Sequence, residues 1–126
     1  MQTKTKFIIF IALVVLIVGG YGIYSALKPL PPSKLDGFAQ CLKASSAEFY
    51  GAFWCSHCND QKEEFGSSKQ YLPYVECSNP DNSQTQICVD KGIESYPTWI
   101  FADGTKQTGK LSFETLAEKT SCVLPQ

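Results

Sequence analysis

From Phe7 to Leu27 the chain carries no charged residue and is dominated by Ile, Val, Leu, Phe and Ala. About 20 apolar residues in a helix span the hydrocarbon core of a bilayer, so this run predicts one N-terminal transmembrane helix. Gly19, Gly20 and Gly22 would weaken a helix in water but are tolerated in membranes. A cleaved signal peptide has a shorter apolar core, of about 7–15 residues, and Tyr24-Ser25-Ala26 is a poor cleavage site. The expectation is a short cytoplasmic tail over 1–6, an uncleaved signal-anchor over 7–27, a tether over 28–33 and a folded domain over 34–126. Pro29, Pro31 and Pro32 make that tether stiff and extended.

Beyond the tether the apolar positions fall into short segments of changing period. Leu35, Phe38 and Leu42 recur at helical spacing behind Ser33 or Asp36, either of which could cap a helix to about Ala44. Ala47–Phe53 reads as a strand, and His57–Phe65 as a helix stopped by Gly66. Tyr71–Cys77 reads as a second strand, which Pro73 pushes toward a sheet edge. A polar loop over Ser78–Ser83 leads to a short helix over Gln84–Lys91, ended by Gly92. Pro97–Phe101 and Lys106–Gly109 form a hairpin around Asp103-Gly104. Ser112 caps a last helix through about Ser121. The order α-β-α-β-α-β-β-α predicts an α/β domain whose β-α-β units make right-handed parallel crossovers.

Charge and cysteine usage narrow the setting. From Lys28 onward nine lysines face twelve acidic residues, with no arginine, which argues against nucleic-acid binding. Lys4 and Lys6 precede the apolar run, whereas Lys28 and Lys34 after it are partly offset by Asp36, so the positive-inside rule favours a cytoplasmic N-terminus. Six cysteines in so short a chain suit an oxidising compartment. The domain is therefore expected on the extracytoplasmic side, periplasmic or lumenal.

The chemistry concentrates in Trp54-Cys55-Ser56-His57-Cys58, at a strand-to-helix junction. A cysteine at a helix N-terminus faces unpaired N–H groups and the positive end of the helix dipole, which favour its thiolate. Cys58, one turn on, can close a disulfide with Cys55, and the pair implies thiol–disulfide exchange. The single histidine, His57, lies between the two sulfurs, where its imidazole could stabilise the Cys55 thiolate and make the disulfide a better oxidant. A zinc site would need two more ligands at workable spacing, and Cys77 and Cys88 do not form a second Cys-x-x-Cys. No metal and no cofactor is expected.

Further along, Tyr96-Pro97-Thr98 leads into an apolar strand. Trp-Cys-x-x-Cys followed by Tyr-Pro-Thr resembles the thioredoxin superfamily. The resemblance implies a minimal thioredoxin-like fold, a mixed four-stranded sheet flanked by helices, after the transmembrane helix. It also implies a cis Tyr96-Pro97 bond against the redox pair, with Trp54, Tyr96 and Pro97 on the substrate-binding rim. Residues 49 to 110, with Tyr50-Gly51-Ala52-Phe53-Trp54, Gln61-Lys62, Phe65-Gly66, Tyr74-Val75-Glu76-Cys77, Cys88 and Gly92-Ile93, resemble thioredoxin domains fused to, or partnered with, vitamin K epoxide reductase homologues. That family's multi-helix catalytic domain has no counterpart in these residues, so the implied membrane partner is a separate chain. Thioredoxins carry a buried acid six residues before the first cysteine. Phe49 holds that position here, and Glu48 is expected to face the other side of the strand.

With Cys55–Cys58 paired, the other four cysteines allow three pairings. Cys77 with Cys88, and Cys41 with Cys122, are the expected structural bridges, and an electron relay through one of them is the sharper alternative. The resulting expectation is a membrane-anchored enzyme, a thiol–disulfide oxidoreductase that oxidises substrate protein thiols and passes electrons to a membrane thiol oxidase. Two other readings compete. A reducing tethered thioredoxin of the cytochrome c-maturation type commonly carries a Glu-Pro-like dipeptide and a longer insertion, and neither is seen here. A redox-inactive binding module would not need the intact cysteine pair.

Overall fold

The computed structural model describes residues 1–28 and 31–126. Pro29 and Leu30, in the expected tether, lie outside the described residues. The chain divides into two units, Met1–Pro31 and Pro32–Gln126. The first is built on helix α1, Gln2–Ala26, whose most apolar 18-residue stretch has a mean hydropathy of 2.6. At about 1.5 Å per residue its 25 residues are long and apolar enough to cross a membrane.

The second unit holds α2 (Asp36–Ala44), β1 (Glu48–Gly51), α3 (Ser56–Glu64), a 3-10 helix (Gly66–Tyr71), β2 (Tyr74–Glu76), α4 (Gln86–Asp90), β3 (Thr98–Ile100), β4 (Lys106–Thr108) and α5 (Phe113–Thr120). The strands form one mixed sheet in the order β2-β1-β3-β4. β1 runs parallel to β2 and antiparallel to β3, and β4 is antiparallel to β3. Only the first β-α-β unit therefore makes a parallel crossover. The second does not, because α4 has only five residues and is stapled to the end of β2 by Cys77–Cys88. A helix of that length cannot carry the chain back along the sheet.

The local signals act where the side chains allow them. Ser33 and Asp36 close the turn that leads into α2, whose N-cap residue is Leu35: the Ser33 N–H donates to Asp36 Oδ2 (3.0 Å) and the Leu35 N–H to Ser33 Oγ (3.2 Å). Gly66, at φ +54°, turns the chain out of α3. The 3-10 helix comes next, in place of an early second strand, and β2 begins only at Tyr74, past Pro73, on the sheet edge. In the hairpin turn, the Thr105 N–H and hydroxyl both donate to Asp103 Oδ1 (2.9 and 2.6 Å). Ser112 Oγ accepts from the Thr115 N–H (3.2 Å) at the start of α5.

Alternation along β1 splits the core between the two sheet faces. Phe49 lies in the larger cluster with Phe38, Leu42, Phe65, Trp99, Phe101 and Leu116. It stacks on Trp99 at 4.6 Å and meets Tyr74 edge-on at 5.2 Å. Tyr50 points the other way, into a cluster with Cys77, Cys88, Ile93 and Ile100. Each fully buried ring of this kind stabilises the fold by about 1.5–3 kcal/mol.

Candidate active site

β1 delivers the chain to Cys55, the N-cap residue of α3. Its extended backbone leaves the side chain over the first turn, where Sγ accepts a hydrogen bond from the Cys58 N–H at 3.2 Å. That bond supplies one of the orphan donors of the helix start and favours negative charge on Cys55. Cys55 and Cys58 are bonded to each other, with their Cα atoms 5.3 Å apart. Of the two, Cys55 retains 8% exposure and Cys58 none. Both cysteines belong to the larger core cluster, and Cys55 is the one of the pair that keeps contact with solvent.

Space for Cys58 depends on Gly51. A Cβ at that position would lie 2.9 Å from Cys58 Sγ and 2.9 Å from Cε2 of Tyr74. Cys58 and the Tyr74 ring therefore both border the same bare stretch of β1 backbone.

Around Cys55 the rim is aromatic. Trp54 is about half exposed, at 52%, and its ring contacts Tyr96 edge-on at 5.8 Å. Trp54 Nε1 donates to Ser78 Oγ at 2.9 Å, which fixes the indole. Pro97 is buried behind a cis peptide bond at the entry to β3. The architecture is that of a minimal thioredoxin-like fold. No family model matches the chain. In sequence it is similar to the Arabidopsis thaliana protein named thiol-disulfide oxidoreductase LTO1, at 45% identity over 94 residues. The match takes in 70% of this chain but only 24% of the relative, so the chain spans about a quarter of that protein's length.

The remaining predicted positions make contacts of their own. His57 is exposed, and its Nδ1 lies 3.9 Å from the Asp60 carboxylate one turn along. Glu48 turns away from the cysteine pair to the opposite sheet face. It accepts from the Tyr50 hydroxyl (2.8 Å) and from Lys91 Nζ (2.9 Å). Burial pushes the Glu48 carboxyl up, but the Lys91 and Tyr50 hydrogen bonds and the Lys91 charge outweigh it and hold the group below its usual range. Cys77–Cys88 and Cys41–Cys122 are bonded pairs with Cα separations of 5.5 and 5.9 Å.

Glu76 escaped the sequence reading. Its Oε1 accepts from the Phe53 N–H (3.1 Å) and the Ser78 N–H (3.0 Å), and its Oε2 from the Tyr74 hydroxyl (2.9 Å). One carboxylate thus ties the loop that presents Trp54 and Cys55 to the end of β2. Beneath it, Lys62 Nζ sits 3.8 Å from the centroid of the Tyr74 ring. The available signal was spacing, since Lys62 is four residues after Cys58 and shares its helix face.

Proposed function

We propose that this protein is a membrane-anchored thiol–disulfide oxidoreductase that oxidises the thiols of substrate proteins and returns its electrons to a thiol oxidase in the same membrane. The observation that carries this reading is the unequal pair at the head of α3: a Cys55 that caps the helix and keeps 8% exposure, and a fully buried Cys58 one turn later. The likeness to a protein named a thiol-disulfide oxidoreductase supports it. Helix α1 supports the anchor, and Lys4 and Lys6 before it, with six cysteines after it, favour an extracytoplasmic domain.

In the proposed reaction a substrate thiolate attacks Cys55 Sγ in line with the Cys55–Cys58 bond. That bond breaks, its electron pair leaves on Cys58, and a substrate–Cys55 mixed disulfide forms. A second substrate thiolate then attacks the substrate sulfur of the mixed disulfide and expels Cys55 as a thiolate stabilised at the helix start. The pair now holds the two electrons as thiolates, and any proton they take up comes from solvent, where the two substrate thiols released theirs. A disulfide of the membrane partner, the role a vitamin K epoxide reductase-like chain would fill, removes them by the same exchange in reverse. Trp54 and Tyr96 offer the extended apolar rim over which an unfolded substrate segment would lie, with Pro97 behind it.

Trapping tests the assignment. In membranes, full-length Cys58→Ala should accumulate mixed disulfides through Cys55, whereas Cys55→Ala should not. The reduction potential of the parent chain should lie above the roughly −270 mV of thioredoxin. A value at or below it would support the reducing reading instead.

A further inference from the structure

Cys58 must pass between thiolate and thiol each time the disulfide opens and closes. The group that manages a buried sulfur's charge is missing from its expected place: position 49 is a phenylalanine stacked on Trp99 and edge-on to Tyr74, and Glu48 is engaged on the opposite face with Tyr50 and Lys91. A different charge shares the helix face of Cys58. Lys62 follows it by one helical turn, at the spacing that brings side chains on one face to about 5–6 Å between Cβ atoms. Its ammonium is seated on the Tyr74 ring, 3.8 Å from the centroid. A Cβ placed on Gly51 would lie 2.9 Å from both that ring and Cys58 Sγ. The Tyr74 hydroxyl is fixed in turn by Glu76, which also holds the Phe53 amide.

We propose that Lys62, held on the Tyr74 ring by the Glu76 network, is the cation that stabilises the Cys58 thiolate as the active-site disulfide opens. The inference rests on the exchange reaction proposed above. When a protein thiolate attacks Cys55, the electron pair of the broken S–S bond arrives on Cys58 Sγ. Lys62 lowers the cost of that charge on a sulfur with no solvent exposure, until a proton from solvent, equivalent to the one the attacking thiol gave up, reaches it. On reoxidation the same cation favours loss of that proton, so that Cys58 can attack the mixed disulfide on Cys55.

The neighbouring groups leave this role to Lys62. His57 and Asp60 face each other on the exposed side of α3. From β2 come Tyr74 and Glu76, and from the segment before β3 comes Tyr96. Burial, then the hydrogen bond and charge of Glu76, hold the Tyr74 phenol far above its ordinary range, so it stays a neutral donor. Lys69, in the 3-10 helix, is paired with Glu63 at 2.7 Å. Burial pushes the Lys62 ammonium down, opposed by Glu76 and assisted by Lys69. A partly desolvated cation of this kind interacts more strongly with a nearby thiolate than a fully hydrated one would.

The test uses the full chain in detergent, with Cys55→Ala so that Cys58 is the one free thiol. Its thiolate is titrated by absorbance near 240 nm, which reads ionisation rather than access. Adding Lys62→Met should cut the thiolate fraction below the midpoint about tenfold, one pKa unit, and Lys62→Arg should restore most of it. A structural role would lower stability in Met without moving the titration, and Lys62→Gln provides a second neutral replacement should Met perturb folding. Superimposable curves for Met, Gln and parent would overturn the proposal. Thiol trapping by Cys58→Ala with Lys62 intact reports separately on the exchange reaction, so a failure there is distinguishable from a failure of Lys62.

Discussion

Gly51→Ala is a small change at a demanding position. The residue lies in β1 and has no left-handed backbone, so its value is the space it leaves. An added Cβ would come within 2.9 Å of Cys58 Sγ, 2.9 Å of Tyr74 Cε2 and 3.2 Å of Cys58 Cβ. None of these is the free end of a flexible chain. The sulfur is tethered through Cys55, and the Tyr74 ring is held by Phe49 on one side, Lys62 on another and Glu76 at its hydroxyl. Alanine in an unobstructed strand would be favoured over glycine by about 0.5–1 kcal/mol. Overpacking of a closed site costs about 1–3 kcal/mol, so the net change should be destabilising by about 1–2 kcal/mol. Thermal unfolding of the oxidised full-length chain in detergent should then shift down by roughly 4–8 °C per kcal/mol for a domain of this size. Opening the disulfide frees Cys58 to move away from the new methyl, so the reduced form should tolerate it better. If the strain falls on the disulfide form alone, the potential rises by about 20–40 mV, since 30 mV corresponds to about 1.4 kcal/mol. An alanine variant as stable as the parent, or more so, would refute the packing argument. A potential that fell would refute the placement of the strain at Cys58.

The two peripheral bridges should differ in worth. Cys41–Cys122 spans 81 residues and Cys77–Cys88 spans 11, so replacing both cysteines by serine should cost about 4–5 kcal/mol in the first case and about 3 in the second on the chain-entropy model. Urea midpoints in the reverse order would count against that account. Glu48 should govern part of the acid limb of stability. Its folded-state pKa is depressed, so its contribution is present above the unfolded carboxylate range and disappears as pH falls through the folded value. Glu48→Gln should lack that loss, giving a flatter decline than the parent below about pH 4.5; parallel curves would show that Lys91 and Tyr50 give Glu48 no net preference for its charged form.

How much of this was legible depended on whether a feature is local. The cysteine pair, the Asp103-Gly104 turn and the Ser112 cap are short-range patterns, and each specifies its own geometry. The edge position of β2 followed from Pro73, which cannot donate a ladder hydrogen bond. The antiparallel entry of β3 was not readable, because it depends on how far a five-residue α4 can carry the chain once Cys88 is bonded to Cys77. Glu76 was hidden for a related reason. In sequence it is the outward residue of an edge strand, an ordinary place for a charge. Its partners, the amides of Phe53 and Ser78 and the Tyr74 hydroxyl, converge only when β2 lies alongside β1.

The aromatic at position 49 explains why charge near Cys58 should come from the rim of the core. A carboxylate there would have to be desolvated among Trp99, Tyr74 and Phe65, at an effective cost of several kcal/mol unless paired. Phe49 removes that cost and adds a stacked contact with Trp99. Lys62 reaches the same sulfur's surroundings from a half-buried site at the end of a long, flexible stem, where water still solvates part of the ammonium. The arrangement exchanges a costly internal acid for a cation whose position is set indirectly, through Tyr74 and Glu76. Because Glu76 also holds Phe53 and Ser78, and Ser78 holds the Trp54 indole, the residues that orient the rim are bonded to those that orient Lys62. In the proposed reaction, a substrate that shifts Trp54 would act through Ser78 and Glu76 on Tyr74, the ring on which Lys62 sits.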